Sequence, residues 1–169
     1  MQVSGFRFQV SVDDARWQKA LPGYEKIIES ALAALATSLR AKRGNPPLTL
    51  HSGLLRPARN DAEVSILLTS DKKIRQLNKQ YRNKDKPTNV LSFPQNEPGM
   101  LGDIALALET IKREAAEQEK TFKDHFTHLF VHGVLHLLGH DHMEKSEQRK
   151  MEKLEIKILT SLGISNPYV

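Results

Sequence analysis

The sequence predicts an α+β fold, in which a small mixed β-sheet packs with about five helices in one domain spanning residues 1–169. Short apolar strand patterns alternate along the chain with segments of helical periodicity. Two of the predicted strands are separated by residues 94–101, a gap that suits a hairpin and is too short for a helical crossover. We therefore expect a mixed sheet rather than a purely parallel one. A chain of this length can bury a sufficient core without disulfides.

The first part of the chain predicts a strand, a helix and a second strand. Residues 6–10 alternate apolar and polar side chains, as a half-buried strand does. Residues 24–42 are rich in Ala and Leu and follow Pro22, a residue favoured near the start of a helix. The Gly-Asn-Pro-Pro segment at 44–47 should end this helix. Residues 63–69 form a short apolar run bounded by polar residues and predict a core strand.

The middle of the chain predicts a helix followed by two strands. Ser70 or Asp71 can cap a helix over residues 72–82. After a polar loop, residues 89–93 predict a strand that the following proline stops. Residues 102–107 predict the next strand, which would complete the hairpin.

The last part of the chain predicts three helices. Residues 109–120 show a strongly charged helical pattern, whose Glu, Lys and Arg mostly form a solvated face. Residues 122–138 predict a long apolar helix, with Gly139 placed as its left-handed C-terminal cap. An amphipathic helix over residues 144–162 should end at Gly163.

The composition narrows the chemistry of the protein. The chain has no cysteine, which excludes disulfides, iron–sulfur clusters and thiolate zinc sites, so any metal must be held by His and carboxylate ligands. The formal net charge of +5 and the pI near 9.5 favour a polyanionic partner. No apolar run is long enough to span a membrane, and the N-terminus lacks the hydrophobic block of a signal peptide. The sequence therefore predicts a cytoplasmic protein with no membrane partner.

Histidines cluster in the C-terminal part of the chain. Six of the seven His residues fall between positions 125 and 142. His132 and His136 are four residues apart on the predicted helix, so their imidazoles project from one face, as two ligands of one metal require. The chain should reverse at Gly139 and return His142 to the same point as a third ligand. The pattern predicts a three-His metal site at the end of the central helix.

The predicted three-His site has an open coordination position, which is typical of catalytic rather than structural zinc. The spacing also matches metzincin proteases, but their general-base Glu follows the first His, and here that position is Gly133. This argues against peptide hydrolysis. Asp141 is a candidate base, or equally a residue that orients a ligand or stabilises the turn. Four histidines are left outside the metal site, namely His51, His125, His128 and His140. Of these, His128 is a candidate for supporting a ligand or lining the pocket.

A basic segment precedes the histidine cluster. Its cations are Lys72, Lys73, Arg75, Lys79, Arg82, Lys84 and Lys86. Such runs are often only a solvated helix face, but residues 81–89 also place hydrogen-bond donors in a turn that leads into a core strand, where functional loops tend to lie. These residues alone leave a functional surface and a solvated face equally open.

The basic segment and the histidine cluster together resemble a known family. The shared motifs are Leu77-Asn78, Tyr81-Arg82, Lys84-Asp85-Lys86-Pro87-Thr88-Asn89-Val90-Leu91-Ser92-Phe93-Pro94, Gly102-Asp103-Ile104, His128-Leu129 and the motif from His132 to His142. In order and spacing they are similar to those of the bacterial YbeY endoribonucleases, the rRNA maturation factors. The resemblance covers residues 62–160, and the residues before it carry no such signature.

The resemblance implies a zinc-dependent, single-strand-selective endoribonuclease, with one Zn²⁺ per chain held by His132, His136 and His142. It implies a role in rRNA maturation at the small-subunit 3′ end and in ribosome quality control. Single-stranded rRNA, the small ribosomal subunit and its assembly factors are the implied partners. Arg82 corresponds to the family's arginine that contacts the substrate phosphate. A planar guanidinium beside a metal can bind a phosphodiester at two points and stabilise the charge that develops in the transition state.

Two other functions remain open at this stage. A non-catalytic rRNA-binding assembly factor would use the metal only to brace the fold, although an open fourth coordination position favours an enzyme. A metalloprotease is disfavoured by Gly133 and by the basic loop. The residues also leave open whether water or the RNA 2′-hydroxyl is the nucleophile.

Overall fold

The computed structural model of the chain describes residues 1–40, 62–95, 97–140 and 144–169, which form five strands and six helices. The strands are β1 (Gln2–Val3), β2 (Phe6–Val12), β3 (Ala62–Thr69), β4 (Val90–Pro94) and β5 (Met100–Ala107). The helices are α1 (Arg16–Ala20), α2 (Tyr24–Arg40), α3 (Asp71–Arg82), α4 (Leu108–Glu117), α5 (Phe122–Leu137) and α6 (Lys145–Ser161). None of these helices is long and apolar enough to cross a membrane.

Every strand and helix predicted from the sequence is present, with ends shifted by three residues or fewer where the structure describes them. The sequence did not predict β1 or α1, because two and five residues are too short to show a period. The predicted helix end at residue 42 and the predicted break at 44–47 lie outside the described residues.

The five strands form one mixed sheet in the order β1-β2-β3-β5-β4. The three central strands, β2, β3 and β5, run parallel, whereas β1 and β4 pair antiparallel at the two edges. The β4–β5 pair is the expected hairpin and confirms that the sheet is mixed. Because β4 is an edge strand, it pairs with β5 on one side and has no neighbouring strand among the described residues on the other.

The main core lies between one face of the sheet and helices α2, α5 and α6. Helix α5 packs against β4 and β5 as well as against α2, α4 and α6, and Phe126, Phe130 and Val134 are fully buried. A helix surrounded in this way needs apolar residues on most of its sides, which explains why Phe, Leu and Val recur along α5. A polar side chain on α5 therefore either has a partner inside the protein, as buried His125 has, or faces an open side of the helix.

Helix α5 ends in the left-handed turn that the sequence predicts. Gly139 has a φ of +83°, and the N–H of His140 donates a hydrogen bond to the carbonyl of Leu135 at 3.0 Å. This turn ends the helix. Residues 141–143, which follow the turn, lie outside the described residues.

Candidate functional site

Two histidines of α5 face the same open side of the helix. His132 and His136 are partly exposed, whereas their neighbours at positions 131, 133–135 and 137 are buried. Their Nε2 atoms lie 3.1 Å apart. Two zinc–nitrogen bonds of ~2.05 Å at a tetrahedral angle would separate the two nitrogens by about 3.3 Å. The side chains thus converge as their spacing predicts, and their separation fits two ligands of one zinc ion.

A buried carboxylate orients the first of these histidines. Glu155 of α6 is fully buried, and its Oε1 accepts a hydrogen bond from His132 Nδ1 at 2.6 Å. Its other oxygen accepts a hydrogen bond from the hydroxyl of Tyr168. With the proton on Nδ1, the Nε2 atom of His132 carries the lone pair and faces His136. A carboxylate behind an imidazole is the usual support for a metal-binding histidine.

The Glu155 carboxyl stays ionised in its buried position. Burial by itself would raise its pKa, but hydrogen bonds from His132 and Tyr168 outweigh burial and hold the pKa below its ordinary value. The negative charge makes the imidazole in front of it a stronger electron-pair donor. Glu155 therefore fixes the orientation of His132 and places a negative charge behind it.

Glu155 was not predicted from the sequence, although the helical pattern of α6 carries a signal for it. The buried residues of α6 are Met151, Leu154, Glu155, Ile158 and Leu159, which recur at helical spacing. A carboxylate on such an apolar stripe is costly to bury without a partner. An acidic residue at a core position therefore predicts a cation or an imidazole on the facing element.

His128 lies behind the histidine pair. Its Nε2 is 4.0 Å from the second carboxylate oxygen of Glu155, and its ring packs edge-on against Tyr168. Burial lowers the pKa of His128 to about 4, so the ring is neutral at physiological pH. The position, one turn before His132 and against its carboxylate partner, is that of a supporting residue rather than of a third metal ligand.

His125 anchors a loop that borders the site. It is buried, and its Nε2 lies 3.0 Å from Glu114 Oε2, which also accepts a hydrogen bond from Asn89 Nδ2 at 2.9 Å. Asn89 precedes β4. His125 thus connects α5 to the start of the edge strand through Glu114.

A cleft of about 850 Å³ lies in front of the histidine pair. One part of its lining is supplied by α5 and the turn that follows it, through His132, His136, Gly139 and His140. The rest comes from the end of α3, the following loop and β4, through Tyr81, Arg82, Thr88, Asn89, Val90, Ser92, Phe93 and Pro94. The fold thus brings Arg82 to the same cleft as two of the three predicted metal ligands.

The third predicted ligand, His142, follows the turn at the end of α5. His142 and the candidate base Asp141 both lie outside the described residues, as does His51. Among the residues that the structure describes, no group of three or more His, Cys, Asp or Glu side chains converges as a metal site. Ligation by His142 therefore stays a prediction.

Gly133 faces the sheet rather than the cleft. A Cβ atom at this position would lie 3.1 Å from Ser92 Oγ and 3.3 Å from the side chain of Ile104. The Ser92 hydroxyl donates a hydrogen bond to the Gly133 carbonyl at 3.2 Å, so β4 and α5 are in close contact here. A glutamate at this position, where metzincins carry their general base, would be forced into the interface between helix and sheet. The packing supports the sequence argument against a peptidase.

The loop after α3 is held in place by a buried asparagine. Asn78 donates a hydrogen bond from Nδ2 to the carbonyl of Lys86 at 2.8 Å, and its own carbonyl accepts one from the N–H of Lys84 at 3.2 Å. Asn83 adopts a left-handed conformation with a φ of 55° and ends the helix. These contacts fix the backbone on the C-terminal side of Arg82.

Two cations of the basic segment form ion pairs within the described residues, whereas Arg82 at the cleft does not. Arg75 and Lys79 bond to Asp85 at 2.8 Å and 3.1 Å, and these contacts hold the pKa of Asp85 below its usual value. Arg82 is exposed and forms no ion pair with any residue in the described part of the chain. Part of the predicted positive field is therefore internally compensated, while the guanidinium of Arg82 remains available to an anion in the cleft.

A matching family model and two relatives share one description, and a solved structure shares the fold. A family model described as Endoribonuclease YbeY matches residues 14–163. A relative named Endoribonuclease YbeY from Rhizobium johnstonii is 47% identical over 170 residues, covering 95% of this chain and 91% of the relative. Another of the same name from Francisella philomiragia is 48% identical over 119 residues, covering 65% of this chain and 75% of the relative. The solution structure of TM1509 from Thermotoga maritima has a TM-score of 0.56 at 23% identity, covering 93% of this chain and 92% of that one, which shows a shared fold.

Proposed function

Because the chain belongs to the YbeY endoribonuclease family, we propose that it is an RNA-cleaving hydrolase, a zinc-dependent endoribonuclease selective for single-stranded RNA. The observation that carries the proposal is the cleft shared by the exposed guanidinium of Arg82 and the pair formed by His132 and His136. A phosphodiester in this cleft has a planar cation available for its oxygens beside a metal-binding pair. A peptide bond carries no charge that this cation would neutralise.

Zinc fits the donor set of the cleft. Two imidazole nitrogens stand 3.1 Å apart, one of them is oriented by the buried Glu155, and the chain has no thiol that would favour a different site. We propose that His132, His136 and His142 hold one zinc ion per chain. When bound, zinc would polarise a phosphoryl oxygen and lower the pKa of a water molecule to about 7.

The protein side chains position the substrate around this site. The Arg82 guanidinium can bind two oxygens of a phosphate in a fork, and the fixed loop after it limits the motion of its backbone. Such a preorganised cation stabilises charge that builds up on the phosphate during cleavage. Glu155 keeps the His132 proton on Nδ1, so that Nε2 stays available to the metal.

We propose rRNA as the physiological substrate, with maturation of the small-subunit rRNA 3′ end and ribosome quality control as the processes served. The small ribosomal subunit and its assembly factors in the cytoplasm would then be the partners. The net charge of +5 supports a nucleic-acid substrate, since lysine and arginine compensate backbone phosphates.

The substrate class can be tested by incubating the zinc-loaded protein with a single-stranded RNA, with its duplex and with a peptide library. We expect cleavage of the single strand alone. His136→Ala, purified in parallel, serves as the control for contaminating nuclease. Equal RNA cleavage by the unmodified protein and His136→Ala would contradict the proposal that the protein is an enzyme and would favour a non-catalytic rRNA-binding factor. Cleavage of peptides would contradict the substrate class.

We expect Glu155→Gln to weaken zinc binding about 10- to 100-fold, because the amide keeps the size of the side chain and loses the charge that supports His132. Competition against a chelating dye measures the affinity, and thermal unfolding of the metal-free protein checks the fold. Tyr168→Phe, which removes the other hydrogen bond to the same carboxylate, is the matched control and should have a smaller effect. Equal zinc affinity in Glu155→Gln and the unmodified protein would contradict the role of Glu155.

A further inference from the structure

An aromatic side chain beside the cleft is exposed to solvent. Tyr81 is 61% exposed, although it continues the stripe of Ile74 and Leu77, the residues through which α3 packs on the sheet. It is the residue directly before Arg82. Burial therefore does not explain an aromatic at this position, since most of its surface remains in water.

The ring of Tyr81 is held by a second aromatic residue. Phe93 of β4 lies with its ring centroid 5.0 Å from that of Tyr81, at an interplanar angle of 60°. Phe93 packs in turn against the small core cluster that contains Leu91 and Ala105. An edge-to-face contact fixes the tilt of the Tyr81 ring and leaves ring surface uncovered. The result is a preorganised flat apolar surface next to a cation.

Tyr81 borders open space on two sides. It lines the cleft that contains His132 and His136, and it also lines a second cleft of about 490 Å³ together with Phe93. A planar group seated on the ring therefore has room, and it would adjoin any phosphate bound by Arg82. A nucleotide offers this combination of a flat base and an adjacent anion.

We propose that Tyr81 is the stacking platform for an unpaired base next to the phosphate at Arg82, and that it makes the cleft selective for single-stranded RNA. This inference rests on the proposed function. Stacking on an aromatic side chain is available to every base, so it confers little sequence preference. In a duplex, both faces of a base are covered by its neighbours, and the base must leave the stack before it can contact Tyr81. Tyr81 acts here as a positioning residue.

The experiment mixes the zinc-loaded protein with a short single-stranded RNA that carries 2-aminopurine, whose fluorescence falls on stacking, and reads the signal by stopped flow before cleavage proceeds. Tyr81→Phe should bind and quench like the unmodified protein, because the ring is kept. Tyr81→Ala should lose the quenching and bind about 5- to 150-fold more weakly, the range for loss of one stacked base. Its affinity for duplex RNA should not change, so the preference for single strands falls by the same factor.

Gln80→Ala is the matched control, because Gln80 is an exposed neighbour on the same turn of α3 and lies outside both clefts. It should behave like the unmodified protein. An equal loss in Gln80→Ala would indicate damage to the helix end and would overturn the inference. Unchanged quenching and affinity in Tyr81→Ala would also overturn it, leave the proposed function standing, and favour a protein contact at this ring. An unmodified protein that binds no single-stranded RNA would overturn both.

Discussion

Arg82→Ala is expected to slow RNA cleavage by roughly 10²–10³-fold while leaving the fold and the metal content unchanged. Arg82 is exposed at the end of α3 and lines the cleft of the histidine pair. An effect of this size is usual when one preorganised contact to the transition state is deleted. Because α3 supplies none of the proposed ligands, the metal should stay bound.

Single-turnover cleavage at saturating RNA isolates this step from weaker binding. Arg82→Lys should restore only part of the rate, since a point charge cannot reproduce the two-pronged contact of a guanidinium. Arg75→Ala is the matched control, because Arg75 is an exposed arginine of the same helix whose partner is Asp85. It should cleave at the unmodified rate. Full activity in Arg82→Ala, or loss of its metal, would refute the assigned role.

His136→Ala is expected to lose the bound zinc and, with it, all RNA cleavage. Removing one of three proposed ligands leaves too few donors to compete with water and buffer. The histidine pair also loses the Nε2 atom that stands 3.1 Å from that of His132. Elemental analysis after dialysis measures the effect, with about one zinc per chain expected in the unmodified protein and almost none in the variant.

His125→Gln is the matched control for the loss of a histidine from α5. His125 contacts Glu114 and is not a proposed zinc ligand. The side-chain amide of glutamine can still donate a hydrogen bond to Glu114, so the zinc content should be unchanged. Normal zinc content in His136→Ala would show that His136 is not a ligand. The same result in His132→Ala and His142→Ala would remove the proposed metal site altogether.

Features that depend on neighbouring residues could be predicted from the sequence. The i,i+4 spacing of His132 and His136 determines that both face one side of α5, because a helix brings such residues together wherever it packs. The left-handed turn at Gly139 follows from the lack of a Cβ atom. The strand positions and the short connection at 94–101 likewise determined that β4 and β5 form a hairpin. Ligation by His142 lies beyond what the described residues test.

Contacts between distant parts of the chain required the tertiary structure. The apolar stripe of α6 indicates that Glu155 is buried, but only the packing of α6 on α5 shows that it meets His132. Similarly, β4 packs against α5 while α3 packs on the other face of the sheet, and only this arrangement brings Arg82 at the end of α3 to the histidine cleft and places the ring of Tyr81 against Phe93. Periodicity specifies which face of an element is covered, whereas its partner depends on how all the covered faces fit together at close packing.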